Sequence, residues 1–224
     1  MKIIPIKNPD VLEGLNNFLW YYENKSDLQL NHILHGANQS YEKWVDEDEK
    51  ALNKVMMLGN NHDGYPECLR AYPIKADRLT FKNKDAEYQR GFYERWNKYN
   101  SNMTEILSAK NNALGVVYPP GGFISWHNNA NACAYNLVFT WSETGEGDFR
   151  YVDGKTGETV ICHDEPGWTC KAGYFGHYGE PAENLVYHAA KTDCWRMTIS
   201  YIFDRSQMSL GLQDEVIEEI MSEF

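Results

Sequence analysis

Eight short runs of β-branched and aromatic residues, separated by glycine-containing turn signals, fill the second half of the chain. They cover residues 114–118, 123–127, 132–141, 148–152, 158–163, 168–175, 184–188 and 194–203. Runs of this kind are typical of β-strands, and many short strands with a turn after each are typical of an antiparallel sandwich or barrel. The pattern predicts a mainly β fold for this part of the chain.

The residues before this β-rich segment show helical patterns instead. Apolar side chains recur at helical spacing from Val11 to Tyr22, which predicts a helix that ends near Asn24. Asp10 with Glu13 resembles a capping box at its start. Further amphipathic patterns predict helices over about 40–58, 85–110 and 213–224.

A chain of 224 residues is long enough for one domain with a substantial core. We expect a helical N-terminal region, 1–112, to pack on a β-rich core, 113–206. The C-terminal segment, 207–224, is expected to form an amphipathic helix that docks on the domain or on a second copy of the chain. The fold class predicted is therefore α+β, mainly β with flanking helices.

Charge and composition disfavour some classes of partner. The formal net charge is -11, which argues against a broad surface that neutralises phosphates and so disfavours a nucleic-acid substrate. Neither a signal-peptide pattern nor an apolar run of membrane-spanning length is visible, so we expect a soluble cytoplasmic protein without a membrane partner. The 5 cysteines form no CxxC pair, and their odd number favours buried thiols over a disulfide framework or a zinc ribbon.

Two histidines stand in patterns typical of a non-haem iron site. His127 ends the aromatic, glycine-punctuated run that begins at Tyr118, and His188 lies 61 positions later. Arg196 and Thr198 follow at eight and ten positions beyond His188. An iron centre that accepts a keto acid and dioxygen needs imidazole ligands and a cation for the distal carboxylate.

The segment 114–203 resembles the double-stranded β-helix, or jelly roll, of the Fe(II)/2-oxoglutarate-dependent oxygenases. Within that superfamily it is similar to the prolyl 4-hydroxylase branch. The branch has Tyr, Gly, an apolar residue and the His of His-x-Asp at three-residue intervals. The residues of this chain at those positions are Tyr118, Gly121, Ile124 and His127.

The resemblance continues downstream and implies a role for each matched residue. Gly145–Tyr151 resembles the family's glycine turn before a barrel strand, and Pro166–Lys171 resembles the next turn and strand. It implies that His127 and His188 bind Fe(II). It also implies that Arg196, with hydroxyl groups from Thr198 and Tyr118, binds 2-oxoglutarate.

Asn129 stands where the family has a carboxylate ligand. Asparagine could bind iron through its neutral carbonyl oxygen, which predicts weaker iron affinity than an aspartate would give. Alternatively, Asp148 or Asp153 completes the ligand set, or water or halide fills the position, as in related iron halogenases. A fourth alternative is a fold that no longer binds metal.

The function implied by the resemblance is a dioxygenase that uses Fe(II), 2-oxoglutarate and O2 and releases succinate and CO2. Hydroxylation of an amino acid, a protein side chain or another small substrate is the leading hypothesis. Two alternatives are a catalytically inactive jelly-roll binding module, and a halogenase or other radical-type oxygenase.

Several residues are candidates for the walls of a substrate pocket. Arg150 alternates with aromatic residues on a short predicted strand, so it points either to an anionic substrate or to solvent. Aromatic and amide side chains on other predicted strands are further candidates, although core packing explains them equally well: Tyr135, Asn136, Trp141 and Trp168. His163-Asp164-Glu165 imitates a His-x-Glu ligand pair, but we interpret it as a turn ahead of Pro166.

Overall fold

A computed structural model describes residues 1–33, 42–46, 49–82, 85–130 and 134–223. Its α-helices are α1 (Pro9–Asn17), α2 (Leu19–Glu23), α3 (Glu49–Leu58), α4 (Ala86–Ile106), α5 (Arg205–Ser209) and α6 (Leu212–Met221). Its strands are β1 (Lys2–Ile4), β2 (Asn31–Ile33), β3 (Leu69–Pro73), β4 (Asn111–Tyr118), β5 (Gly122–His127), β6 (Tyr135–Ser142), β7 (Gly147–Val152), β8 (Thr159–His163), β9 (Gly167–Tyr174), β10 (His188–Thr192) and β11 (Arg196–Phe203).

The first predicted helix is present, but its cap and its length differ from the prediction. Asn8, not Asp10, caps α1, because its side-chain oxygen accepts the backbone N–H groups of Asp10 (2.9 Å) and Val11 (3.2 Å). Pro9 follows as the first helical residue, where its missing N–H has no consequence. The helix breaks at Phe18, and α2 continues the chain.

The other helix predictions are confirmed in outline. A π-helical turn over Glu42–Asp46 and α3 lie within the predicted 40–58 segment, of which residues 40, 41, 47 and 48 are outside the described part. Helix α4 (Ala86–Ile106), with Asp85 as its cap, lies within the predicted 85–110. Helix α6 (Leu212–Met221) covers most of the predicted 213–224, of which residue 224 is outside the described part. Helix α6 docks on this chain: the Ile220 carbonyl oxygen accepts the N–H groups of Lys7 and Asn8.

The strands form one mostly antiparallel, curled sheet. Their order is β1-β9-β6-β11-β4-β3-β5-β10-β7-β8, and β2 pairs with β3 beside this path. Strand β3 joins the two halves, since Leu69 and Arg70 pair with β5 while Tyr72 and Pro73 pair with β4. The N-terminal region, predicted to be mainly helical, therefore also contributes strands β1, β2 and β3.

The sheet lies between two layers that cover its outer faces. Helices α1, α2, α4 and α6 pack on the half that contains β4, β6, β9 and β11. Helix α3 and the Glu42–Asp46 turn pack on the other half, around Phe123 and Trp126. The inner faces of the two halves enclose a smaller apolar cluster that includes Val116, Ile124 and Phe149.

Strand β11 shows how alternation directs side chains to different layers. Met197, Ile199, Tyr201 and Phe203 belong to the core under the helices. The intervening residues, Arg196, Thr198 and Ser200, line the internal pocket instead. Successive side chains of a strand point to opposite faces, so one strand supplies both an apolar core and a polar site.

Strand β10 begins where the predicted strand 184–188 ends, so that prediction is wrong in position. Residues His188–Thr192 pair with β5 and with β7. Their sequence, His-Ala-Ala-Lys-Thr, has low strand propensity, whereas Val186 and Tyr187 have high propensity. Hydrogen-bonded pairing with a strand on each side outweighs the low strand propensity of these residues.

Two composition predictions can be compared with the structure. Cys68, Cys170 and Cys194 are buried free thiols and Cys162 is half-buried, while Cys133 lies outside the described residues. None of the helices in the described ranges is long and apolar enough to cross a membrane.

Candidate active site

Two imidazoles lie side by side on neighbouring strands. His127 is the last residue of β5, His188 is the first of β10, and the antiparallel register makes them direct partners. Direct cross-strand partners project from the same face of a sheet, and the centroids of these rings are 4.1 Å apart. Strand pairing thus brings together two histidines that are distant in the chain.

The turn before β5 helps to place His127. Gly122 N–H donates to the Pro119 carbonyl oxygen (2.7 Å), and Gly121 has a φ of 70°. Proline at the second turn position and a positive-φ glycine at the third meet the needs of a type II turn. The Pro-Pro-Gly sequence therefore reverses the chain between Tyr118 on β4 and the strand that ends in His127.

Each imidazole has one ring nitrogen bound to the backbone. His127 Nδ1 lies 2.8 Å from the Ser125 carbonyl oxygen, and His188 Nδ1 lies 3.1 Å from that of Val186. A carbonyl oxygen only accepts, so Nδ1 donates in both rings and the lone pair is on Nε2. Burial lowers the pKa of His127 and lowers the pKa of His188 to about 4. Neutral imidazoles with bare Nε2 atoms are the form that binds metals.

Asn129 lines the same pocket as both histidines. Its neighbour Asn128 is fully buried, and the Asn128 side-chain oxygen accepts from the Ala130 N–H (2.9 Å) and the Tyr178 hydroxyl (3.2 Å). Ala130 has a φ of 50°, so the chain turns sharply at this point. Because Asn128 anchors the turn, Asn129 is the residue that faces the pocket.

The two aspartates considered as alternative ligands are held elsewhere. Asp148 accepts hydrogen bonds from Arg150 Nε (2.7 Å) and Arg150 Nη2 (2.9 Å). Asp153 accepts from the backbone N–H groups of Lys155 (2.9 Å) and Thr156 (3.0 Å) in a turn. Across the described residues, no group of three His, Cys, Asp or Glu side chains is placed to hold a metal. Of the three candidates for the third metal ligand, Asn129, Asp148 and Asp153, only Asn129 lines the pocket.

Arg196 supplies a buried cation to the pocket. Its guanidinium donates to Asp164 Oδ2 (2.6 Å), Thr198 Oγ1 (2.8 Å) and Thr140 Oγ1 (3.4 Å). Its Cζ atom also lies 5.4 Å from the centroid of the Tyr118 ring. A guanidinium has five N–H donors, so donors remain for an anion in the pocket after these contacts within the described chain.

Asp164 is a neighbour of Arg196 that the sequence interpretation did not include among the site residues. It lies in the connection between β8 and β9, as predicted, and its buried side chain, 0% exposed, bonds to both Arg196 and Lys171, the latter at 3.2 Å. Burial alone would raise the pKa of Asp164, but the two cations outweigh burial and hold it below its usual value. Two buried cations and one carboxylate leave one net positive charge, which matches one carboxylate of a ligand.

The pocket lined by His127, Asn129, His188 and Arg196 has a volume of about 190 Å³. Burial raises the pKa of Tyr118 to about 12, so its hydroxyl is neutral at pH 7. Apolar side chains from several strands form the walls: Leu69, Val116, Ile124, Val138, Phe149 and Phe175. Arg196 is at the closed end, because its side chain is only 2% exposed.

Arg150 does not line this pocket. Its guanidinium is held by Asp148, as described above, and by Asp46, whose carboxylate lies 2.7 Å from Arg150 Nη1. Asp46 also pairs with Lys191 (2.7 Å). Arg150 therefore fastens the Glu42–Asp46 turn to the outer face of the sheet, and the prediction that it faces a substrate is not supported.

The aromatic candidates for pocket walls also lie outside the pocket. Tyr135, Trp141 and Trp168 pack against the core under the helices, where the Trp141 and Tyr22 ring centroids are 4.9 Å apart. Asn136, next to Tyr135 on β6, does line the pocket. Alternation along β6 explains the difference, because odd and even positions face different layers.

His62 is a second residue that the sequence interpretation missed. It is buried and close enough to His127 and His188 to influence both electrostatically. Its Nδ1 accepts the Gly64 N–H (2.9 Å), and its carbonyl oxygen accepts the Tyr178 hydroxyl. It follows a helical segment and precedes a short strand without any recognisable motif, so no sequence signal identifies it.

Comparisons with known proteins find likeness only among solved structures. No family model and no curated protein sequence matches the chain. A Pseudomonas putida prolyl-4-hydroxylase is similar over 91% of this chain and 92% of its own, with 11% identity and a TM-score of 0.42. A Trichoplax adhaerens prolyl hydroxylase in complex with a hypoxia inducible factor peptide fragment is similar over 88% and 93%, with 12% identity and a TM-score of 0.35. The capsular polysaccharide assembling protein CapF of Staphylococcus aureus is similar over 55% and 38%, with 13% identity and a TM-score of 0.23.

Proposed function

We propose that this chain is a Fe(II)- and 2-oxoglutarate-dependent dioxygenase with a jelly-roll core, and that it hydroxylates an amino acid, a protein side chain or another small substrate. One observation carries the proposal: two adjacent imidazoles whose Nδ1 atoms donate to the backbone, so that Nε2 carries the lone pair, share a buried pocket with the guanidinium of Arg196. A metal-binding pair and a carboxylate-binding cation are the two parts that such an enzyme needs.

The donor set fits ferrous iron. Imidazole nitrogen suits iron, and an amide oxygen from Asn129 would add an oxygen ligand without charge. His127 and His188 would hold the metal, and Asn129 would be the third ligand. The carbonyl oxygens of Ser125 and Val186 orient the two rings, as outer hydrogen-bond partners do in metal sites.

The other residues would bind and shield the keto acid. Arg196 would pair with the distal carboxylate of 2-oxoglutarate, and the hydroxyl groups of Thr198 and Tyr118 would add hydrogen bonds. Bound iron, 2-oxoglutarate and O2 together supply the oxidising chemistry, with succinate and CO2 as coproducts. Apolar walls such as Ile124, Val138 and Phe149 would exclude water from this space.

Two alternatives make different predictions. A binding module without catalysis is favoured by the lack of a third His, Cys, Asp or Glu ligand in the described residues. A halogenase requires an open coordination position for halide, and Asn129, which lines the pocket with the histidines, is bulkier than the small apolar residue that leaves this position open in the halogenases. Chloride incorporation into a product would identify the halogenase.

The test of the proposal is an anaerobic titration with Fe(II) and then with 2-oxoglutarate. We expect the weak visible charge-transfer band of a keto acid bound to ferrous iron, and its absence in His127→Ala. No band at concentrations that saturate related enzymes would contradict the proposal and favour the binding module. A band of equal strength in His127→Ala would place the metal elsewhere.

Replacing Asn129 by aspartate should strengthen Fe(II) binding. A carboxylate in place of the amide adds one negative charge next to a dication, which should lower the Fe(II) dissociation constant by on the order of tenfold or more. Fe(II) affinity can be measured by competition with a chromogenic chelator. Asn128→Asp is the matched control, since it adds the same charge one residue away and the Asn128 side-chain oxygen is engaged by the Ala130 N–H and the Tyr178 hydroxyl. Equal affinities in wild type and Asn129→Asp would mean that Asn129 does not bind the metal.

A further inference from the structure

We propose that the substrate of this site carries a carboxylate, and that Lys75 and Arg78 bind this group at the mouth of the pocket. The inference rests on the proposed oxygenase function and specifies its substrate class. Both residues line the same continuous pocket as His127, His188 and Arg196.

A single turn places both cations. The Arg78 N–H donates to the Lys75 carbonyl oxygen (2.9 Å), so the two residues are the first and last of one β-turn. The turn is fixed at both ends, because Ile74 and Leu79 are buried. Ile74 is also tied to β4 by a hydrogen bond from its N–H to the Gly115 carbonyl oxygen (2.9 Å). The cations therefore project from a fixed part of the pocket rim.

The charge of the pocket is opposite to that of the protein. The chain has 32 acidic against 21 basic residues. Nevertheless, none of the described residues that line the pocket is acidic, and Lys75, Arg78 and Arg196 are all cations. Arg196 is neutralised in part by Asp164 at the closed end. Lys75 and Arg78 give the mouth a separate positive charge.

Neither rim cation is strongly paired within the described chain. The Lys75 ammonium lies 3.9 Å from Asp77, at the limit of an ion pair, and the Asp77 side chain is 59% exposed. The Arg78 guanidinium instead lies over the Tyr65 ring, at 5.8 Å from its centroid. Tyr65 is itself an exposed aromatic residue that lines the pocket, so this contact holds Arg78 at the rim without neutralising it. An incoming carboxylate would meet two available cations.

The position of these cations suits a substrate better than the keto acid. Arg196 is buried at the closed end, whereas Lys75 is partly exposed and Arg78 is exposed. The histidines lie in the same cavity, whose limited volume must also accept iron and 2-oxoglutarate. A substrate would therefore insert a small group towards the histidines while its carboxylate stays at the rim.

The carboxylate could be the α-carboxylate of a free amino acid or an acidic side chain of a peptide, and two matched probe pairs separate these sources. The first pair is N-acetylleucine and N-acetylleucinamide. The second is acetylglutamyl-amide and acetylglutaminyl-amide. Dissociation constants are measured by NMR titration of the metal-free protein. At least one carboxylate probe should bind about tenfold more tightly than its neutral partner.

Variants test whether Lys75 and Arg78 cause this preference for the carboxylate probe. In the Lys75→Gln/Arg78→Gln double variant the preference should disappear, with the affinity of the neutral probe unchanged. Arg90→Gln, which removes an exposed cation on α4, should retain it. The preferred pair identifies the source of the carboxylate.

The inference would be overturned by no preference in wild type, by an undiminished preference in the double variant, or by an equal loss in Arg90→Gln. A loss confined to Arg196→Ala would also overturn it, because the probes would then be binding at the closed end. These titrations need neither iron nor turnover. Absence of the charge-transfer band in the Fe(II) titration therefore contradicts the oxygenase proposal. If the band is normal but the probe titrations show no such preference, only the role of Lys75 and Arg78 is contradicted.

Discussion

Replacing Arg196 by alanine is expected to weaken 2-oxoglutarate binding by about a hundredfold or more and to leave Fe(II) binding unchanged. Loss of one partner from a buried, hydrogen-bonded charge pair costs about 2–5 kcal/mol, and each 1.4 kcal/mol is about tenfold in affinity. Arg196 does not contact His127, His188 or Asn129, since its side chain donates to Asp164, Thr198 and Thr140. The protein should also fold, because Asp164 keeps Lys171 as its partner.

The measurement is the 2-oxoglutarate concentration that half-saturates the charge-transfer band under anaerobic conditions. Arg196→Lys provides a sharper comparison, because it keeps the charge but loses the planar pair of donors, so its affinity should fall between those of wild type and Arg196→Ala. Thr198→Val should have a smaller effect, since it removes one hydroxyl. Unchanged keto-acid affinity in Arg196→Ala would show that the segment around Arg196 has another role.

Alternation and glycine turns made much of the β-rich half predictable. On β11 the polar residues Arg196, Thr198 and Ser200 alternate with apolar ones, and the structure gives them opposite faces. Strand β10 was placed too early because His188–Thr192 has low local propensity and forms through pairing with β5 and β7. Strands β1, β2 and β3 have no clear sequence pattern for a similar reason: each is short, and partners distant in the chain hold it in the sheet.

Only those residues of the candidate site that belong to a sequence motif were predictable. His127, His188 and Asn129 could be identified by order and spacing, and the structure brings them to one pocket. His62 and Asp164 could not, because their importance comes from contacts between segments that are far apart in the chain. Arg150 shows the opposite case: a charged residue on an aromatic strand suggested a ligand contact, but Asp46 and Asp148 engage it.

Replacing Asp164 by asparagine is expected to lower the free energy of unfolding by about 3–5 kcal/mol at pH 7, the usual cost of removing one member of a buried ion pair. Lys171 and Arg196 would then face each other without an anion, and both side chains are only 2% exposed. Asparagine has the same shape, but its NH2 group would point at one of the two cations. Urea unfolding measures the loss, and Asp153→Asn, at an exposed turn, is a control for which little change is expected.

The loss of stability in Asp164→Asn should be larger at neutral pH than at acidic pH. The folded-state pKa of Asp164 is below its ordinary value, so its stabilising effect is fully present above the unfolded pKa of about 4 and disappears as the pH falls through the folded value. The stability difference between wild type and Asp164→Asn should therefore be largest near pH 7 and shrink below about pH 4. The double variant Asp164→Asn/Lys171→Met should be more stable than Asp164→Asn alone, because it removes one unpaired cation. If the double variant were the less stable of the two, the loss would come from packing and not from charge.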